Sequence, residues 1–189
     1  MKEDSKTIKG PQPTANLWLL TGPIHSGKTT YLLKMHEFLM KKGFVCGGLL
    51  SLACFINERR IGYNGLDLRT GKTFPLARTK GLASWQKAGR FYFDPEGLVK
   101  AKTAVRSFFP ADLTVVDEIG HLELRRCGLW NELLSLLKQP QIKWFVVRES
   151  LTDSFLERFG RETPVLRFSD AELLSKLESL MGDPPLSRR

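Results

Sequence analysis

The chain predicts an α/β fold: a mainly parallel sheet with helices on both faces and a β-hairpin insertion. Three observations carry this. Short apolar runs of strand length alternate with longer segments of helical pattern, the order that builds a parallel sheet through crossover helices. A glycine-flanked loop, Gly22-Pro23-Ile24-His25-Ser26-Gly27-Lys28-Thr29, joins the first apolar run to the first helical segment. A later run, residues 113–116, leads directly into Asp117-Glu118.

Taken in order, residues 1–15 are polar, contain Gly10-Pro11-Gln12-Pro13 and read as a mobile tail. Residues 17–21 are an apolar run suited to a buried strand. Residues 29–42 lack Gly and Pro, are rich in Leu, Met and Lys, and stop at Gly43, so they predict a helix. Residues 44–52 read as a second buried strand. Residues 61–69 and 72–78, joined by Thr70-Gly71, alternate as a hairpin; their half-polar pattern suits an exposed ribbon, and Pro75 suits an edge strand. The insertion spans about residues 57–93. Asp94 as N-cap, Pro95 in the first position and Glu96 in the first turn open a helix running to about residue 108. Residues 113–116 are the third buried strand, 126–138 a helix, 142–147 the fourth strand, 152–159 a short helix and 165–168 the last strand. A capping box, Ser169-Asp170-Ala171-Glu172, opens the final helix. One domain over residues 16–181 accounts for all of these, with a C-terminal tail from 182 to 189.

Composition agrees. With 189 residues, 42% apolar and 26% charged, the chain can build one well-cored domain but hardly two. Cys46, Cys54 and Cys127 are odd in number and lack metal-ligand spacing, which suggests core thiols in a reducing compartment. The start, Met-Lys-Glu-Asp-Ser-Lys-Thr, has no apolar core of a signal peptide. The uncharged stretch at residues 43–57 is too short to cross a bilayer, so a soluble cytoplasmic protein is expected. Of the formal charge of +9, residues 59–106 supply a surplus of eight, eleven Lys/Arg against three Asp/Glu. Such a segment suits nucleic acid, nucleotide phosphates or a plain solvated face, and charge alone does not choose among them.

The loop at residues 22–29 fits G-x-x-x-x-G-K-[ST], a phosphate-binding pattern. Its glycines let successive backbone N–H groups turn inward on a phosphate, and the following helix aims its positive end there. Gly22, Pro23, Ile24, His25, Ser26, Gly27, Lys28, Thr29 and Thr30 are therefore the candidate nucleotide-binding residues, with ATP or GTP as substrate. Lys28 reaches the β- and γ-phosphates, and the Thr29 hydroxyl ligates Mg²⁺. Asp117, at a strand's C-terminal end, suits the second metal position, a Walker B pattern; Glu118 is placed to activate a water. Arg148, after residues 142–147, is the best placed arginine for the γ-phosphoryl group, with Arg60, Arg78 and Arg90 as alternatives. Lys28, Glu118 and Arg148 are thus the candidate catalytic residues. His121 suits a peripheral role and His36 is helical. No Asn-Lys-x-Asp guanine signature occurs.

Residues 22–30, Arg59-Arg60-Ile61-Gly62-Tyr63, Gly89-Arg90-Phe91 and above all Val116-Asp117-Glu118-Ile119-Gly120-His121-Leu122-Glu123-Leu124 resemble the nucleoside-triphosphatase family called THEP1, over about residues 16–181. The resemblance implies a P-loop NTPase fold, a three-layer RecA/AAA-like sandwich, and Mg²⁺-dependent hydrolysis of nucleoside triphosphates with loose base selectivity. It carries the loop roles to Lys28 and Thr29, the metal carboxylate to Asp117 and the base to Glu118, and matches Glu123 to a family acid. Ser26 stands where the family commonly has glycine, and His121 where it commonly has lysine. A nucleotide or nucleoside kinase, with the basic hairpin closing over an acceptor, and a nucleotide-switched nucleic-acid-binding module remain the alternatives; oligomeric state is not legible.

Overall fold

The structure is a computed structural model that describes residues 16–23, 26–106, 110–168 and 173–182. In chain order its elements are β1 (Leu17–Thr21), α1 (Lys28–Lys41), β2 (Cys46–Ile56), β3 (Arg59–Asp67), β4 (Thr73–Arg78), β5 (Gln86–Ala88), β6 (Phe91–Phe93) and α2 (Pro95–Arg106). Then come β7 (Leu113–Ile119), α3 (His121–Leu124), α4 (Trp130–Leu137), β8 (Ile142–Val147), a 3-10 turn (Glu149–Leu151), α5 (Thr152–Phe159), β9 (Val165–Arg167) and α6 (Leu173–Met181). The expected tails, apart from Gly182, and the capping box at residues 169–172 lie outside the described residues.

All nine described strands form one sheet in the order β5-β6-β4-β3-β2-β7-β8-β1-β9. The pairs from β2 through β7, β8 and β1 to β9 are parallel. Those from β2 through β3, β4 and β6 to β5 are antiparallel. The sheet is therefore mixed, which corrects the expectation of a mainly parallel one. The reason lies in β2, eleven residues long: residues 46–49 pair with β7, while residues 49–56 pair with β3. The hairpin segment thus continues the main sheet and is no separate ribbon. Pro75 is likewise not on an edge, because β4 lies between β3 and β6. It sits at a register shift, where Tyr63 faces Ala77 but Asn64 faces Pro75, and such a bulge accommodates a residue with no N–H to donate.

Strand alternation sends side chains to two cores. Leu17, Leu19, Val116, Phe145 and Val147 face a cluster with Ala101 and Ala104 of α2, Leu133 and Leu136 of α4, and Phe155 and Phe159 of α5. Leu20, Val115, Trp144 and Val146 face Leu32, Met35 and Leu39 of α1 and Leu173 of α6. Both faces of the parallel strands are covered, which is why these runs read as continuously apolar. Helix α2 starts as its sequence dictates: Asp94 Oδ1 accepts from the backbone N–H of Glu96 at 2.9 Å and of Gly97 at 3.4 Å. Gly48, at φ +107°, has no room for a side chain, since a Cβ there would lie 1.9 Å from the Val115 carbonyl oxygen of the neighbouring strand.

The cysteines divide. Cys46 is a core thiol whose titration burial pushes up to about 12. Cys54 is half-buried and Cys127 exposed, contrary to the expectation of core positions. Cys127 lies in the turn between α3 and α4, flanked by Arg126 and Gly128 at φ +61° and +60°, where the chain runs over the surface.

Candidate functional site

Strand β1 ends at Thr21 and delivers the loop to the C-terminal edge of the sheet, where α1 begins. Gly27 makes the turn into the helix at φ +85°, and its carbonyl accepts the first helical bond, from Tyr31 N–H at 2.9 Å. Ser26 has no left-handed backbone, so serine fits here without the conformational freedom of glycine. Lys28 folds back over the loop. Its Nζ donates to the carbonyls of Gly22 at 2.9 Å and Pro23 at 2.6 Å and approaches Ser26 Oγ at 3.3 Å. Burial lowers the titration of this ammonium, against the pull of the Glu118 and Asp117 carboxylates. Gly22, Pro23, Ser26, Gly27, Lys28 and Thr29 thus stand together at one sheet edge. Thr30 is exposed on the first turn of α1, and Ile24 and His25 lie outside the described residues.

The two sequence motifs meet across 88 residues of chain: Thr29 Oγ1 donates to Asp117 Oδ2 at 2.9 Å. Asp117 is only 3% exposed. Its carboxylate also accepts from Ser51 N–H at 3.3 Å, while Ser51 Oγ donates to the Asp117 carbonyl at 2.7 Å. Burial, then the neighbouring Glu118 charge, raise its titration to about 7, against these hydrogen bonds and Lys28. Ser51 is a site residue that sequence reasoning missed, and its place on the strand beside β7 was the signal that could have found it.

A buried carboxylate under this strain, joined to a hydroxyl, is a donor set suited to a hard divalent cation. Mg²⁺ typically takes one or two protein oxygens and completes its shell with phosphate and water. Thr29 and Asp117 fit that pattern. Among the described residues no cluster of three or more His, Cys, Asp or Glu is assembled for an all-protein metal cage.

Glu118 meets Arg148, whose Nε donates to its Oε1 at 2.5 Å. Both are partly open to solvent, at 26% and 35% exposure. Arg148 directly follows β8, so adjacent parallel strands bring the pair together from 30 residues apart. It also borders a cleft with Gly22, Pro23, Glu149 and Ser150, beside the loop. The alternative arginines have other partners, although Arg60 and Arg90 line a cavity together with Glu118 and Arg148. Arg60 donates to the Tyr63 hydroxyl at 2.7 Å, and Arg90 lies over the Phe91 ring at 5.0 Å. Arg78 is a structural clamp, donating to the Tyr63 carbonyl at 2.6 Å and to Asn64 Oδ1 at 2.6 Å.

Glu123 is buried and bound by backbone: its oxygens accept from the N–H groups of Gly120 at 3.0 Å and Leu129 at 3.1 Å. It ties down the loop after Glu118 and does not face the Lys28 loop. His121 is exposed at the start of α3. No described helix is long and apolar enough to cross a membrane.

The chain is similar to known proteins over most of its length. The family model described as NTPase matches residues 18–170. Nucleoside-triphosphatase THEP1 of Methanopyrus kandleri is 34% identical over 152 residues, covering 79% of this chain and 83% of the relative. The Methanosarcina barkeri protein of the same name is 30% identical over 149 residues, 78% of this chain and 84% of its own. In fold, the chain is similar to the solution structure of a human cancer-related nucleoside triphosphatase, at a TM-score of 0.68 and 24% identity over 93% of this chain and all of that one. The crystal structure of THEP1 from Aquifex aeolicus gives 0.60 at 15% identity, over 87% and 98%. The chain therefore belongs to the THEP1 nucleoside-triphosphatase family.

Proposed function

We propose that the chain is a cytoplasmic, Mg²⁺-dependent nucleoside triphosphatase that hydrolyses nucleoside triphosphates to diphosphate and phosphate with loose base selectivity. The observation that carries it is the Thr29–Asp117 hydrogen bond, which joins the phosphate loop to the acidic strand end, with Glu118 and Arg148 beside them. The relatives' name, which specifies nucleoside triphosphates and no single base, supports the loose selectivity. So does the absence of Asn-Lys-x-Asp from the chain. The THEP1 match also favours a P-loop sandwich with the domain spanning about residues 16–181.

With a triphosphate in the loop, Lys28 exchanges its carbonyl partners, Gly22 and Pro23, for β- and γ-phosphate oxygens. Ser26 and Gly27 present backbone N–H groups to the same anion. Thr29 and Asp117 would hold Mg²⁺, which when bound would neutralise phosphate charge. Glu118 accepts the proton of the attacking water. Arg148 aligns that carboxylate and, bordering both the loop cleft and Glu118, supplies the positive charge that offsets the negative charge on the oxygens of the transferring group.

The test is nucleotide affinity, measured in solution with Mg²⁺, for wild type and Lys28→Ala. Affinity and phosphate release in the variant are expected to fall by at least about tenfold, with melting unchanged within a few degrees, since charge-assisted bonds to phosphate are strong. Full binding and turnover in Lys28→Ala would remove the phosphate-loop assignment.

A further inference from the structure

Beside the acids lies a cavity of about 380 Å³ that hydrolysis does not require. A reacting water needs about 30 Å³. Small-molecule sites begin at about 300 Å³. None of the described loop residues, 22, 23 and 26–30, lines it; Asp117, Glu118 and Arg148 do. It opens on the face of the sheet covered by α2, opposite the face on which α1 packs. Arg148 borders both this cavity and the loop cleft, so the Glu118–Arg148 pair stands where the two spaces meet.

The lining is sorted by chemistry. The wall away from the pair is apolar, with Leu49, Leu76, Phe93, Leu98, Ala101 and Leu129. The lining also holds Tyr63 and Phe91, edge to face at 5.1 Å, with Arg60 donating to the Tyr63 hydroxyl and the Arg90 guanidinium 5.0 Å from the Phe91 ring centre. Aromatic and guanidinium planes stack on planar rings. The Glu118 carboxylate, also on the lining, is a group a hydroxyl could reach. This pocket suits a molecule with a planar aromatic body and a hydroxyl at one end.

We propose that this cavity is an acceptor site: it binds an aromatic alcohol of nucleoside size and gives the protein a phosphotransferase activity beside hydrolysis. This rests on the phosphate loop being the triphosphate site. The acceptor oxygen forms a bond to the γ-phosphorus, and the bond from that phosphorus to the β,γ-bridging oxygen breaks. The bridging electron pair leaves with the diphosphate, the hydroxyl proton passes to Glu118, and the product is a phosphomonoester. The site explains why the chain spends a sheet extension, β3 to β6, on enclosing space next to its base.

The test uses the full chain with Mg²⁺ and ATP labelled at the γ-phosphate, and adenosine, guanosine, cytidine or uridine as acceptor. Labelled phosphate and labelled nucleoside monophosphate are separated and counted together. At least one nucleoside is expected to take label. Leu98→Trp, which fills the cavity from a half-buried helix position, is expected to lower the ratio of transfer to hydrolysis at least tenfold, with melting checked in parallel. Phe91→Ala, at a partly exposed ring, should lower the same ratio and weaken nucleoside binding seen by saturation-transfer NMR. Labelled phosphate with no labelled monophosphate for any nucleoside overturns the acceptor site alone. A ratio unmoved by both substitutions also overturns it. Release of neither product overturns the phosphate-loop assignment and the acceptor site with it.

Discussion

Asp117→Asn should stabilise the metal-free protein as it removes metal-dependent nucleotide binding. The carboxylate is buried and its titration is raised from 3.8 to about 7, first by burial and then by Glu118. In the unfolded chain it ionises near 3.8. Between these values the unfolded state holds fewer protons than the native one, so rising pH favours unfolding. The contribution of Asp117 to stability is whole below about pH 4 and is lost as pH rises through 7. At about 1.4 kcal/mol per pH unit, the charged form costs about 4 kcal/mol at most above pH 7. Asparagine keeps an oxygen for the Thr29 hydroxyl and the Ser51 N–H but carries no charge to bury. In buffer with EDTA, the variant's advantage over wild type should therefore grow by about 2–3 kcal/mol between pH 5 and pH 8, or on the order of 5–10 °C in Tm. Thermal and urea unfolding at both pH values measure it. An advantage that does not change with pH would refute the burial argument. In the same variant, Mg²⁺ should no longer strengthen nucleotide binding.

Two further predictions concern the scaffold around the site. Glu123→Ala leaves the N–H groups of Gly120 and Leu129 without their acceptor and should cost about 2–4 kcal/mol in urea unfolding; a loss under about 1 kcal/mol would mean the loop after Glu118 does not depend on it. Gly48→Ala puts a Cβ 1.9 Å from the Val115 carbonyl oxygen at a backbone angle of φ +107°, and should destabilise by at least about 3 kcal/mol or abolish soluble expression, whereas a normal melting curve would contradict the strand geometry.

What was legible in the sequence was local. β1, β8 and α5 fall at their expected bounds because apolar runs of strand length and an amphipathic segment carry their own signals. The start of α2 was written in Asp94-Pro95-Glu96. That Thr29, Asp117 and Arg148 share one sheet edge followed from the parallel strands that lead to them, with β8 between β1 and β7, whereas the Glu118–Arg148 pair was not legible. What was not legible depends on pairing at a distance. The polarity of residues 61–78 suggested an exposed ribbon, but β2 is long enough to carry them into the main sheet. Strands β5 and β6, of three residues each, are too short to show a period, and the cavity they help to close was therefore invisible. Arg78 could not be told from a catalytic arginine until its carbonyl partners were seen.

The most direct test of water activation at Glu118 is phosphate release from ATP, GTP, CTP and UTP, with Mg²⁺ and no acceptor, by wild type and Glu118→Gln. Wild type should hydrolyse more than one of the four, and Glu118→Gln should bind nucleotide as before yet release phosphate at least about 100-fold more slowly, the usual worth of a general base. Equal rates in the two proteins would contradict the assignment of Glu118, and with it the mechanism built on the strand end where it sits.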